Sequence, residues 1–209
     1  MIDKTKDCRQ IQLNQSTNFK YIIFFDCEYT CWENSLETGW SDPEYPSEII
    51  QIGLVVFEVK KNRIIKDYTS FVKPYLNQKL SDYCLKLLKF PQSTIDNSPS
   101  FKEIAKSISA ILQDILINEY FICSWGDDYN RITLNSRINN TIDPFSNCFR
   151  LNLMTEFSKV LKLKKFISSR DEVKKMIKYD TKISRHDALE DSIELIDLYM
   201  ISLKLNDNV

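Results

Sequence analysis

An apolar run, Tyr21-Ile22-Ile23-Phe24-Phe25, gives way to alternation at Asp26-Cys27-Glu28. This pattern predicts a buried strand from about Tyr21 to Glu28. A polar, aromatic stretch from Thr30 to Ser47, with Pro43 and Pro46, predicts a loop long enough to suggest a functional role. Glu48 to Val59 is strongly β-branched and predicts a second strand, Lys61-Asn62-Arg63 a short turn, and Ile64 to Val72 a third strand ended by Pro74. These three make an antiparallel meander.

Helical spacing then takes over. Leu80, Cys84, Leu87 and Leu88 form one stripe, and Phe101, Ile104, Ala105, Ile108, Ile111, Leu112 and Ile115 a longer one. Tyr120 to Trp125 predicts a fourth strand closing at Gly126, followed by a helix from about Asp128. Cys148 to Leu151 suits a short fifth strand. Helices are expected near Met154–Leu161 and Asp171–Lys178, and a last one over about Asp187 to Leu205. In that last helix Leu189, Ile193, Ile196, Met200 and Leu203 form the main apolar stripe, and Asp187 with Glu190 resembles a capping box. The expected fold class is α/β: a mixed five-stranded sheet, three antiparallel strands plus two parallel, flanked by helices. It fills a single domain over residues 21–205, preceded by a polar N-terminal arm over residues 1–20.

At 209 residues the chain is large enough for one full core. Hydrophobic residues at 43% and charged residues at 27% are globular values and exclude extensive disorder. With three glycines there is neither a Walker-type loop nor a G-x-G-x-x-G fingerprint. The net charge of −1 excludes a generally basic coat, but ten Lys and Arg against three Asp and Glu lie between Lys159 and Arg185. Next to an acidic site, that local excess favours an anionic polymer as substrate. The six cysteines are scattered without a C-x-x-C pair, and one histidine cannot complete a Cys/His zinc set. They read as reduced core thiols of a cytoplasmic protein. No stretch has membrane-spanning length.

In a strand, Asp26 and Glu28 point the same way. Two carboxylates at the end of a buried strand repel each other and resist desolvation, which a divalent cation between them relieves. Asp127-Asp128 follows the fourth strand as that pair follows the first. Asp128 is favoured, because Ile132 lies one turn on and packs inward, whereas Asp127 aligns with Arg131. His186, the only histidine, opens the last helix together with Asp191.

The order Asp-x-Glu, a later Asp after a strand, then His-x-Ala-x-x-Asp resembles the DEDDh (DnaQ-like) 3′→5′ exonucleases, whose fold is RNase H-like. The motif positions are Asp26, Glu28, Asp128 and Asp191, with His186 as the histidine. Within that superfamily the chain looks most like the branch of the 3′ histone mRNA exonuclease and its RNA-interference-regulating relatives. The resemblance covers about Tyr21 to Leu205 and includes Phe25-Asp26-Cys27-Glu28-Tyr29-Thr30-Cys31, Glu48-Ile49-Ile50-Gln51-Ile52-Gly53 and Phe71-Val72-Lys73-Pro74. It continues through Leu80-Ser81-Asp82-Tyr83-Cys84 and Ser124-Trp125-Gly126. Relatives often space the third acid as Trp-Gly-x-x-Asp. Here Tyr129 stands at that position, leaving Asp127 or Asp128 to serve, and Lys89 stands where relatives often carry glycine. The chain leaves no room for the accessory RNA-binding domain of the histone mRNA enzyme.

The resemblance implies two Mg²⁺ or Mn²⁺ ions, with Asp26 bridging both, Glu28 and Asp191 on one, and Asp128 supporting the other. It also implies His186 as general base, and a single-stranded RNA or DNA 3′ end as the partner, cleaved to nucleoside 5′-monophosphates. Tyr29, Thr30 and Trp32 are candidate substrate contacts, with Trp40 and Trp125 as further aromatics near the cleft. Two other readings compete. A haloacid-dehalogenase-like phosphatase needs Asp where the chain has Glu28, and it gives His186 no role. A nuclease-fold protein that binds RNA or a partner without cutting would be expected to lack a ligand or the histidine.

Overall fold

The structure, a computed structural model, describes residues 9–116, 118–163, 169–180 and 186–206. Its five strands are β1 (Tyr21–Tyr29), β2 (Ile49–Glu58), β3 (Arg63–Phe71), β4 (Tyr120–Ser124) and β5 (Phe149–Asn152). They form one sheet in the order β3-β2-β1-β4-β5. β1 pairs antiparallel with β2 and β2 with β3, while β1–β4 and β4–β5 are parallel. This is the mixed sheet that the sequence pattern predicts. The short helices are α1 (Leu13–Ser16), α2 (Ser35–Thr38), α3 (Asp82–Leu88) and α4 (Gln92–Asp96). The remainder are α5 (Phe101–Gln113), α6 (Asp128–Ile138), α7 (Leu153–Val160), α8 (Arg170–Met176) and α9 (Ala188–Asn206).

Strand alternation sorts the core into two layers. Ile22 and Phe24 of β1, with Val55 and Phe57 of β2, pack under α7, α8 and α9. Ile23, Phe25 and Cys27, with Ile52, Leu54 and Val56, pack under α5 and α6. Asp26 and Glu28 continue the first set, so both carboxylates emerge on the α9 side of the sheet. Ser100 and Glu103 form a capping box that starts α5.

Three expectations change. Residues 9–20, part of the expected polar arm, are docked. Ile11 and Leu13 are buried, Gln10 bridges to Arg150, and Ser16 Oγ bonds Tyr199 Oη at 2.8 Å. Leu87 of the first helical stripe is exposed. Of the predicted apolar stripe of α9 only Ile196 is buried; Ile193 is exposed and Leu189, Met200 and Leu203 are half-buried, while Ala188, Ser192, Glu194, Leu195, Leu198, Tyr199 and Ser202 are buried. The reason is close approach: small residues bring the helix against the sheet, and hydrophobic bulk does not mark them.

The point of closest approach is Gly53. A Cβ there would lie 2.2 Å from the Ala188 carbonyl carbon and 2.3 Å from Leu189 N. Ser192 Oγ donates to the Gly53 carbonyl at 2.9 Å. Gly53 is the register partner of Asp26, so this contact sets the start of α9 beside the acidic end of β1.

Candidate active site

The structure brings together the carboxylates that the sequence spreads over 166 positions, from Asp26 to Asp191. Asp26, Glu28 and Asp191 each place an oxygen within 4.8 Å of the others. A cavity of about 290 Å³ is lined by these three with Asp128, Trp125, Arg170, Lys174, His186 and Glu194.

Asp128 opens α6 at the mouth of the parallel pair β1–β4 and is 7% exposed. The Tyr29 hydroxyl donates to its Oδ1, while its Oδ2 is buried with no hydrogen-bond partner among the described residues. Asp127 instead points outward, its side chain 56% exposed and paired with Arg131 at 3.4 Å. Asp128 thus lines the cavity while Asp127 faces solvent.

His186 stands at the rim, its side chain 41% exposed and its Nδ1 3.8 Å from Glu28 Oε1. Its backbone is left-handed at φ +64°, a turn that delivers the chain into α9. Asp187 caps that helix, its Oδ1 accepting from Leu189 N at 3.0 Å and Glu190 N at 3.1 Å.

Burial raises Asp26 well above the usual carboxylate range. The Arg170 guanidinium opposes that rise, and Asp128, Asp191 and Glu28 add to it. Burial also lifts Asp128, to about 7, against the pull of the Tyr29 hydroxyl and Arg170. Asp191 is raised by burial, with Arg170 again opposing. Three acids raised in this way call for positive charge.

The chain supplies part of that charge from residues that the motif reading did not single out. Arg170 pairs with Asp26 through Nη2, and its Nη1 lies 3.3 Å from Asp191 Oδ1 and 3.6 Å from Glu194 Oε2. Lys174 Nζ meets Glu194 Oε1 at 2.5 Å. The signal was present in the sequence. Arg170, Val173, Lys174 and Ile177 share one helical face, so cations occupy core-facing positions beside a fully buried Val173. Glu194 likewise falls three residues after Asp191, on the Leu198 side of α9. In the sequence both cations count toward the basic excess between Lys159 and Arg185. Lys164, Lys165, Lys182 and Arg185 of that run lie outside the described residues, as does Cys8.

The loop aromatics and Thr30 are held by the protein. Thr30 is 1% exposed, its hydroxyl donating to Pro46 O and accepting from Glu48 N, each at 3.0 Å. It closes the loop, its hydroxyl taken by protein partners on both sides. Trp40 Nε1 donates to Thr30 O at 2.8 Å, Trp32 packs on Tyr45, and Trp125 is buried against Phe157. Tyr29 retains a polar role, through Asp128.

The donor set fits hard divalent cations: all oxygens, three of them convergent, with the Asp128 Oδ2 orphan beside them. The model of the exonuclease family (RNase_T) matches residues 23–199. The chain belongs to that family. The similarity to the 3′-5′ exonuclease eri1 of Schizosaccharomyces pombe is 32% identity over 97 residues, covering 46% of this chain and 31% of that protein. For the human 3′-5′ exoribonuclease 1 it is 29% over 90 residues, covering 43% and 24%. The aligned part is thus about a third or less of each relative's length. The solved nuclease domain of 3′hExo, a DEDDh family member bound to rAMP, superposes with a TM-score of 0.73 at 20% identity, covering 91% of this chain and 96% of that one. The fold is therefore the RNase H-like sheet of these exonucleases. Among the described residues, no helix is long and apolar enough to cross a membrane.

Proposed function

We propose that this chain is a metal-dependent 3′→5′ exonuclease that shortens single-stranded nucleic acid, RNA before DNA, from a 3′-OH end and releases nucleoside 5′-monophosphates. The observation that carries the reading is the convergence of Asp26, Glu28 and Asp191 next to the orphaned Oδ2 of Asp128, at the rim occupied by His186. The preference for RNA rests on the exoribonuclease relative named above and on the basic run before His186.

Asp26, Glu28, Asp128 and Asp191 would hold two Mg²⁺ or Mn²⁺ ions, which supply charge neutralisation at the scissile phosphate and at the leaving 3′-oxygen. The chain's own groups do the rest. His186, half in solvent, takes a proton from the attacking water. The Tyr29 hydroxyl fixes the rotamer of Asp128 through Oδ1 and leaves Oδ2 free to ligate. The wall of Trp125 keeps one side of the cluster dry. A cytoplasmic location belongs to the same reading.

The test compares single-stranded RNA, stem-loop RNA and single-stranded DNA, each with a defined 3′ end, with and without Mg²⁺. Metal-dependent release of 5′-monophosphates, fastest from single-stranded RNA, is the expected result. Tight RNA binding without any cleavage would favour a nuclease-fold binding protein.

A further inference from the structure

Arg170 stands inside the acidic cluster, yet no motif assigns it. Its two terminal nitrogens reach Asp26 and Asp191, two of the three residues whose oxygens converge. A single guanidinium therefore engages the lone pairs that a shared dication would take. A guanidinium and an incoming dication on the same oxygens would repel each other, so they do not share them.

We propose that Arg170 is a positioning residue that competes with the divalent metal: it holds Asp26 and Asp191 together in the metal-free protein and yields their oxygens when an ion enters. The inference rests on the metal-dependent reading above, and it adds the residue that sets metal affinity.

The packing allows such an exchange. α8 is anchored without Arg170, by fully buried Val173 and by Lys174, which grips Glu194 one turn later. The Arg170 side chain is long and 18% exposed at the cavity wall, so it has a path outward while the helix stays docked. Lys174 does not substitute for it: its ion pairs are with Glu194 and Asp171. Six carboxylates (Asp26, Glu28, Asp128, Asp171, Asp191, Glu194) line the cavity with the two cations Arg170 and Lys174, so acidic groups outnumber basic ones where a dication would enter.

Calorimetric titration of Mn²⁺ into wild type, Arg170→Met and Arg170→Lys tests the exchange. Arg170→Met is expected to bind Mn²⁺ on the order of tenfold more tightly, the usual scale of coupling between competing ligands. Arg170→Lys should fall between, because an ammonium keeps the charge but lacks the fork that spans both carboxylates. In EDTA, Arg170→Met should melt below wild type, and saturating Mn²⁺ should close or reverse that gap. Equal or weaker Mn²⁺ binding by both variants overturns the proposal, as does a melting deficit that Mn²⁺ leaves unchanged. Failure of wild type and both variants alike to bind Mn²⁺ would remove the metal-dependent reading itself, and the exchange with it.

Discussion

Gly53 lies so close to Ala188 that a methyl group on it would come within 2.2 Å of the Ala188 carbonyl carbon. The obstacle is backbone, which cannot swing aside as a side chain does. Gly53→Ala should therefore push the start of α9 off the sheet and carry Asp191 and His186 with it. A stability loss of about 1–3 kcal/mol is expected from such overpacking, together with a larger proportional loss of nuclease activity. Urea unfolding and an activity assay check both, and an unchanged variant would mean that α9 docks elsewhere.

Asp128 gives the protein a pH-dependent stability of definite sign. Its folded pKa is lifted to about 7 by burial, while an unfolded Asp titrates near ~3.9. Between those values the folded chain binds the extra proton, so stability declines as pH rises through this window. Asp128→Asn cannot ionise and lacks the decline. In EDTA, the stability of Asp128→Asn minus that of wild type should grow from about pH 4 to about pH 7. A flat difference would show that Asp128 is solvated or paired more fully than its position implies.

His186 sits at the rim and outside the converging carboxylates, so its removal should separate chemistry from metal binding. His186→Ala is expected to lower turnover on the order of 10²–10⁴-fold and to leave Mn²⁺ affinity near wild type. Near-normal turnover would take the imidazole out of the proton path.

Lys89 terminates α3 in the left-handed conformation at φ +59°. A side chain pays for that conformation where glycine does not, so Lys89→Gly should stabilise the protein by roughly 1 kcal/mol. Lys89 does not line the carboxylate cavity, and activity should be unchanged. Thermal melts of the two proteins decide it.

The sequence made the sheet legible because its strands are apolar runs of strand length broken by turn residues, and because period-two alternation places Asp26 and Glu28 on one face. Asp128 was legible over Asp127 through the helical phase of Ile132, which is fully buried as the phase requires. The docking face of α9 was not, since the small residues Ala188, Ser192 and Ser202 interrupt the buried Leu195, Ile196, Leu198 and Tyr199. Arg170 was legible only in part: helical phase sets it on the Val173 face, but within a basic run only the tertiary meeting of α8 with β1 shows that its guanidinium reaches Asp26. Residues 9–20 look polar because only three apolar side chains, Ile11, Leu13 and Phe19, dock them.

Asp26 is the residue on which the site turns, being buried, paired with Arg170 and convergent with Glu28 and Asp191. The most direct measurement follows 5′-labelled single-stranded RNA with wild type and Asp26→Asn in Mg²⁺, alongside Mn²⁺ binding by each. Wild type should produce a ladder shortening from the 3′ end that EDTA abolishes, and Asp26→Asn should neither cut nor bind Mn²⁺ normally. Cleavage by Asp26→Asn at the wild-type rate, or a wild-type ladder that persists in EDTA, would contradict the account.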